Sequence, residues 1–251
     1  MARSDPRQVA TGVLQERYGA ADSLLLAGSV VRGEETATSD LDLVVLYPQI
    51  EQSYRESFHQ DGWPIEAFVH DEHTIEYFFI EKDLASDIGS MMWIVHHGLP
   101  IVGPTALNGR IKSRAKQLLD AGPPIWAGDQ IDYSRYTITG LLDDLAEPRN
   151  KDEYRATLAA LYHLVGNHYL RANQHWGATS KTIPRRLRIA DENLARRYGD
   201  AFACAFRDDP NPLFELADDI LEPHGGRLFE GYRAHSDPEL RRNPPSASAG
   251  E

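Results

Sequence analysis

Two hydrophobic patterns divide the chain. Up to about residue 104, helical spacing of apolar residues alternates with short apolar runs that are typical of β-strands. The predicted strands are SLLLAGS (23–29), DLDLVVLY (40–47), WPIEAFVHD (63–71) and a short extended PIVGP (100–104), and the predicted helices cover 6–18, about 72–83 and about 86–97. This order of elements indicates a small sheet with flanking helices.

From about residue 106 onward no strand pattern recurs. Apolar residues follow one another at three- and four-residue spacing, which predicts a bundle of about five helices. The residues after 235 are polar and rich in Pro and Ser, and we expect them to be disordered. The pattern therefore predicts an α+β chain with a mixed domain over 1–104, a helical domain over 105–235 and a tail over 236–251.

Composition is ordinary for a soluble globular protein, with 41% hydrophobic and 25% charged residues among 251. The single cysteine, Cys204, excludes a disulfide framework and a cysteine-based zinc site. No apolar stretch approaches the length of a membrane span, and the polar N-terminus lacks the apolar middle of a signal peptide. We expect a cytoplasmic protein that has no membrane partner.

Charge is distributed unevenly along the chain, whose net charge is −12. Residues 1–104 hold six Lys or Arg against seventeen Asp or Glu, whereas residues 105–235 hold eighteen of each. Excess negative charge repels a phosphate backbone, so we expect no nucleic-acid partner. An acidic front half suits a metal cation or a cationic substrate.

Three acidic residues stand out in the predicted strands. Asp40 and Asp42 are two apart, so their side chains share one face of a strand, while Leu41 and Leu43 point to the other. Carboxylates held together repel each other unless a cation such as Mg²⁺ lies between them. Glu66 lies on the next predicted strand, in a register that the sequence leaves open, and would complete a cluster able to hold two metal ions.

A small-residue turn precedes these carboxylates. Gly28 and Ser29 follow a buried strand, and such a turn lets backbone N–H groups and a hydroxyl approach a triphosphate. Gly33 fits the same loop, and Ser39 is placed to orient the strand that carries the aspartates.

The stretch GSVVRGEETATSDLDLVVL (28–46) resembles the signature of the DNA polymerase β-type nucleotidyltransferases: Gly-Ser, about ten residues, then Ser-Asp-x-Asp and an apolar run. The downstream IEAFV resembles the third acidic strand of that superfamily. The resemblance implies a small mixed sheet, Asp40 and Asp42 as metal ligands, and Gly28, Ser29 and Ser39 at the nucleotide. It implies that Glu66 is a third ligand or a general base.

The helical back half is similar to that of the aminoglycoside adenylyltransferases of the streptomycin and spectinomycin type. In those enzymes a lysine before a helix reaches the triphosphate, and GATSKTIPRRL (177–187) is a similar stretch. The resemblance therefore implies that Lys181 binds the nucleotide, with Arg185 or Arg186 assisting.

These features together predict transfer of a nucleoside monophosphate, AMP from ATP, to a hydroxyl of a small cationic acceptor such as an aminoglycoside. Two Mg²⁺ ions would serve as cofactors, and pyrophosphate would leave. Two alternatives stay open: an antitoxin-like or regulatory nucleotidyltransferase that modifies a macromolecule, and a non-catalytic nucleotide-binding module. The sequence does not identify the acceptor, because helical-domain side chains choose it.

Overall fold

The computed structural model describes residues 3–102 and 105–235, and the predicted tail over 236–251 lies outside these ranges. The strands are β1 Ser23–Ala27, β2 Leu41–Leu46, β3 Tyr54–Gln60, β4 Trp63–His70 and β5 Leu99–Pro100. The helices are α1 Pro6–Arg17, α2 Glu72–Phe78, α3 Ser90–His97, α4 Ala106–Ala121, α5 Gly128–Ala146, α6 Lys151–Ala172, α7 Ile183–Ala190, α8 Glu192–Ala205 and α9 Asn211–Leu221. The first part of the chain forms a mixed sheet and the second part forms helices, which confirms the predicted α+β class.

The five strands form one sheet in the order β3-β4-β2-β1-β5. β2 and β4 run parallel, and the other neighbouring pairs are antiparallel. Leu41, Leu43 and Val45 of β2 are buried in one core with α1. Because side chains alternate along a strand, Asp42 between them points to the opposite face, where α3 packs on β1 and β2.

β3 was absent from the strands predicted above, although the sequence holds a signal for it. Asp61 and Gly62 join β3 to β4, and both have positive φ, 48° and 83°. That conformation is a two-residue hairpin turn, for which Asp-Gly is a favoured pair. β3 has no apolar run because it is the edge strand of the sheet and none of its residues is fully buried. The Asp-Gly turn, more than the pattern of the strand residues, therefore predicts this hairpin.

The chain divides into two units between Pro124 and Ile125, beyond the boundary expected after residue 104. The difference is α4, which belongs to the first unit. Asn108 Nδ2 of α4 donates a buried 2.9 Å hydrogen bond to Ser23 Oγ of β1. Arg110 and Arg114 on the same helix form ion pairs with carboxylates of α2. Helical periodicity could not show with which unit this helix packs.

The second unit is built from α5 to α9 around one apolar core. Ile138, Leu161, Leu187, Phe202 and Leu216 represent these five helices in the core, and each is almost fully buried. The helical second half predicted from the three- and four-residue spacing is thus present, but its individual helices differ from the prediction. The first predicted helix, α4, belongs to the first unit, and the stretch predicted as one helix over about 183–199 forms two, α7 and α8. Within the described ranges, no helix is long and apolar enough to cross a membrane.

A histidine lies inside this second core. His168 of α6 is fully buried, and its Nδ1 lies 2.9 Å from Ser134 Oγ of α5. Burial lowers the pKa of His168 to about 4, and the positive charges of His224 and Arg135 act in the same direction. The neutral ring is therefore the form that the folded protein accommodates.

We expect the free energy of unfolding to decrease as the pH is lowered, because of His168. Its folded pKa lies below its value of 6.5 in the unfolded chain, so between about pH 6.5 and 4 the unfolded chain binds the extra proton. The loss over that window is about 3 kcal/mol. Urea unfolding of wild type and His168→Gln at several pH values measures it. His163→Gln, on the exposed side of α6, should keep the wild-type pH dependence; an unchanged dependence in His168→Gln would contradict the assignment.

Candidate active site

Three carboxylates meet at one edge of the first unit. Ligand oxygens of Asp40, Asp42 and Glu66 all lie within 4.8 Å of one another, and each side chain is partly exposed. Asp40 precedes β2 directly, and Asp42 is the second residue of that strand. Asp42 is paired with Glu66 across the parallel β2–β4 ladder, which places both side chains on the same face. This register, which the sequence left open, brings Glu66 to the two aspartates.

Gly28 lies directly against Asp42. The glycine follows β1 with φ at 84°, in the left-handed region. A Cβ at this position would collide with Asp42 Oδ2 and lie 3.2 Å from Asp42 Cγ. Glycine is required here both for the backbone conformation and for the space that the carboxylate occupies.

Two hydroxyls close the loop between β1 and β2. Ser29 Oγ donates to Ser39 Oγ at 3.2 Å, and Ser39 Oγ also accepts from Thr36 N at 2.9 Å. The carbonyl of Ser29 accepts from Arg32 N and Glu34 N, so residues 30–32 form a single 3₁₀ turn. Ser39, next to Asp40, thereby ties the start of the aspartate strand to the turn that follows Gly28.

The cluster fits a divalent cation of the Mg²⁺ type. Such an ion binds oxygen at 2.0–2.1 Å, so two oxygens on one ion lie at most about 4.2 Å apart. Oxygens within 4.8 Å of one another reach that arrangement by small side-chain rotations. Hard carboxylate oxygens are the donors that Mg²⁺ prefers, and the partial exposure leaves room for phosphate oxygens to complete its coordination.

One cationic neighbour of the cluster was missed by the sequence reasoning. Arg55 of β3 donates from Nη2 to Oε1 of Glu66. Its guanidinium also lies 5.0 Å from the centroid of the Phe68 ring. The Asp-Gly turn was the available signal, since it predicts that β3 folds back on β4 and brings its side chains beside Glu66.

Lys181 lies in the second unit, whereas the carboxylates and Gly28 lie in the first. The lysine is exposed on the turn Ser180–Thr182 that leads into α7. Thr179 N donates to Thr182 Oγ1 at 2.9 Å, which closes this turn. Arg186 of α7 follows it in the chain. Burial lowers the pKa of Arg186 to about 10, so this guanidinium is held away from bulk water.

Residues 8–90 match the family model of the nucleotidyltransferase domain. Among solved structures, the chain is similar to a nucleotidyltransferase-like protein from Exiguobacterium sibiricum 255-15, at 11% identity and a TM-score of 0.41, over 88% of this chain and 77% of that one. No curated protein matches. The narrower resemblance to aminoglycoside adenylyltransferases stays a prediction. Residues 8–90, which hold Gly28, Asp40, Asp42 and Glu66, form a nucleotidyltransferase domain.

Proposed function

We propose that this protein is a Mg²⁺-dependent adenylyltransferase that transfers AMP from ATP to a hydroxyl of a small cationic acceptor such as an aminoglycoside. The observation that carries the proposal is the meeting of Asp40, Asp42 and Glu66 within 4.8 Å inside the nucleotidyltransferase domain. The acidic balance of the chain favours a small-molecule acceptor over nucleic acid.

The reaction is an in-line displacement at the α-phosphorus of ATP. The acceptor oxygen forms a bond to that phosphorus, the bond to the bridging oxygen of the β-phosphate breaks, and pyrophosphate leaves. Bound Mg²⁺, with two ions expected, would neutralise the phosphate oxygens during the displacement. Asp40 and Asp42 hold the cation site, and Glu66 takes the proton from the attacking hydroxyl.

The turn after β1 binds the phosphates in this proposal. Gly28 allows the backbone to approach the nucleotide, and Ser29 supplies a hydroxyl. Ser39 keeps that turn attached to the aspartate strand through its contact with Ser29. The close approach of Gly28 to Asp42 and the contact between Ser29 and Ser39 support these roles.

By its resemblance to the adenylyltransferase stretch, Lys181 is proposed as a nucleotide-binding residue, with Arg185 or Arg186 assisting. Lys181 is exposed on its turn, and Arg185 and Arg186 follow in α7. Residues 1–104 hold only six Lys or Arg, so the first half of the chain offers little charge of its own to several phosphates. A lysine ammonium acts there as a point charge on phosphate oxygens.

Mg²⁺ and ATP should stabilise the protein together far more than either does alone. Protein carboxylates supply only part of the coordination of the ion, so phosphate oxygens must supply the rest. A ligand present at a hundred times its Kd stabilises by about 2.7 kcal/mol, which raises Tm by about 5–10 °C for a chain of this size. Thermal denaturation with ATP, Mg²⁺, both, or both with EDTA measures this. Strong ATP binding that EDTA does not change would contradict the metal site.

Product analysis tests the transfer itself. The protein is incubated with ATP, Mg²⁺ and streptomycin or spectinomycin, and mass spectrometry looks for an acceptor that has gained AMP while pyrophosphate appears. A parallel incubation of labelled ATP with total cell protein and RNA detects a macromolecular acceptor, as the antitoxin-like alternative requires. Nucleotide binding without pyrophosphate release in either arm would favour the non-catalytic module.

A further inference from the structure

The Arg55–Glu66 ion pair connects two neighbouring strands at the carboxylate cluster. Arg55 is paired with Phe68 across the antiparallel β3–β4 ladder, and Ser57 is paired with Glu66. Arg55 therefore reaches Glu66 along the diagonal of the ladder, on the same face of the sheet. The guanidinium lies near the Phe68 ring as well as at the carboxylate, so two contacts restrict it.

Three carboxylates and one guanidinium make up this partly exposed group. Asp40, Asp42 and Glu66 carry three formal negative charges, and Arg55 adds one positive charge, so the formal net charge of the group is −2. The remaining charge equals that of one divalent cation with opposite sign. Arg55 thus offsets part of the mutual repulsion of the carboxylates and holds one oxygen of Glu66 in a defined direction.

We propose that Arg55 is a positioning residue that holds Oε1 of Glu66, so that the other carboxylate oxygen faces the metal and the acceptor hydroxyl. This inference rests on the proposed function, because it assigns the orientation of Glu66 within that site. Arg55 contacts no reacting atom and acts through Glu66. Its side chain is 56% exposed, so replacing it leaves the hydrophobic core intact.

The opposite face of β3 offers a matched control. Arg17 donates from Nη2 to Glu56 Oε2 at 3.1 Å, and its guanidinium lies 4.0 Å from the Phe58 ring centroid. Arg17, the last residue of α1, therefore makes the same kind of carboxylate and aromatic contacts, in its case with β3, and it is similarly exposed. Neither Glu56 nor Phe58 belongs to the carboxylate cluster.

The test compares wild type with Arg55→Gln, Arg55→Lys and Arg17→Gln in the full chain. Calorimetric titration with Mn²⁺ in the presence of an ATP analogue with a non-cleavable α–β bridge measures metal binding without any turnover, and pyrophosphate release from ATP with the acceptor gives kcat and KM. We expect Arg55→Gln to lower kcat at least about tenfold, with KM for ATP within about twofold of wild type. Mn²⁺ should bind about two- to fivefold more tightly, because a repelling positive charge has been removed from a partly exposed site.

These opposite signs separate positioning from a structural role, since damage to the fold would weaken both metal binding and turnover. Arg55→Lys retains a donor for Glu66 and should return kcat to within about fivefold of wild type. Arg17→Gln should change neither measurement. An Arg55→Gln protein with kcat within twofold of wild type, or with Mn²⁺ binding equal to or weaker than that of wild type, overturns the inference.

Failure of the proposed function gives a different result. If wild type binds Mn²⁺ but releases no pyrophosphate, the proposed transfer fails, and the Mn²⁺ titrations still decide about Arg55: equal affinities in wild type and Arg55→Gln overturn it. If wild type binds no Mn²⁺ even with the ATP analogue present, both proposals are wrong. If wild type turns over normally and Arg55→Gln does the same, only the inference about Arg55 fails.

Discussion

Asp42→Asn is expected to reduce nucleotidyl transfer by about a thousandfold or more while the protein stays folded. The substitution keeps the shape of the side chain but removes a negative charge that would hold the proposed cation together with Asp40 and Glu66. Metal stabilisation of the displaced phosphate oxygens contributes several kcal/mol, and each 1.36 kcal/mol is a factor of ten in rate. Steady-state rates of pyrophosphate release measure the loss, and circular dichroism checks the fold.

A charge control accompanies this variant. Glu51 is exposed in the loop between β2 and β3 and lies outside the carboxylate cluster. Glu51→Gln removes the same amount of charge from the first unit and should leave kcat within about twofold, because solvent screens distant exposed charges. Near-normal turnover by a folded Asp42→Asn protein would mean that Asp42 does not hold a catalytic metal.

Gly28→Ala is expected to lower both Mn²⁺ affinity and turnover by about tenfold to a hundredfold. The added methyl group would collide with Asp42 Oδ2, so the carboxylate must rotate away from the position that it shares with Glu66. Replacing a residue that supports a metal ligand typically lowers metal affinity or activity by about tenfold to a hundredfold. Titration with Mn²⁺ and the rate of pyrophosphate release measure the two effects separately.

Gly33→Ala is the matched control for the backbone. Gly33 also has positive φ, 67°, but a Cβ there would meet nothing within 4 Å. Both variants therefore bear the left-handed strain of an alanine, about 1–2 kcal/mol, and only Gly28→Ala displaces a carboxylate. Equal losses of Mn²⁺ affinity in the two variants would show that strain, and not the contact with Asp42, is responsible.

Local patterns were sufficient to predict most of the elements, though not β3, and to place the side chains of Asp40 and Asp42 on one face. Side chains alternate along any strand, so Asp40 and Asp42 had to share a face wherever the strand was placed. The apolar run around them had to be buried, which predicted β2 without knowledge of its neighbours. The helical second half followed in the same way from three- and four-residue spacing. The roles of these residues in catalysis remain predictions.

Three features were decided by tertiary structure alone. Pairing of Asp42 with Glu66 depends on the register of β2 against β4, which is set by burying apolar side chains far apart in the chain. The approach of Arg55 to Glu66 needs the β3–β4 hairpin to be in place on the sheet edge. α4 belongs to the first unit because it packs on α3 and α2 there, and Asn108 adds a buried hydrogen bond to Ser23. Periodicity reports which face of an element is buried, but the partner of that face is chosen by packing between distant segments.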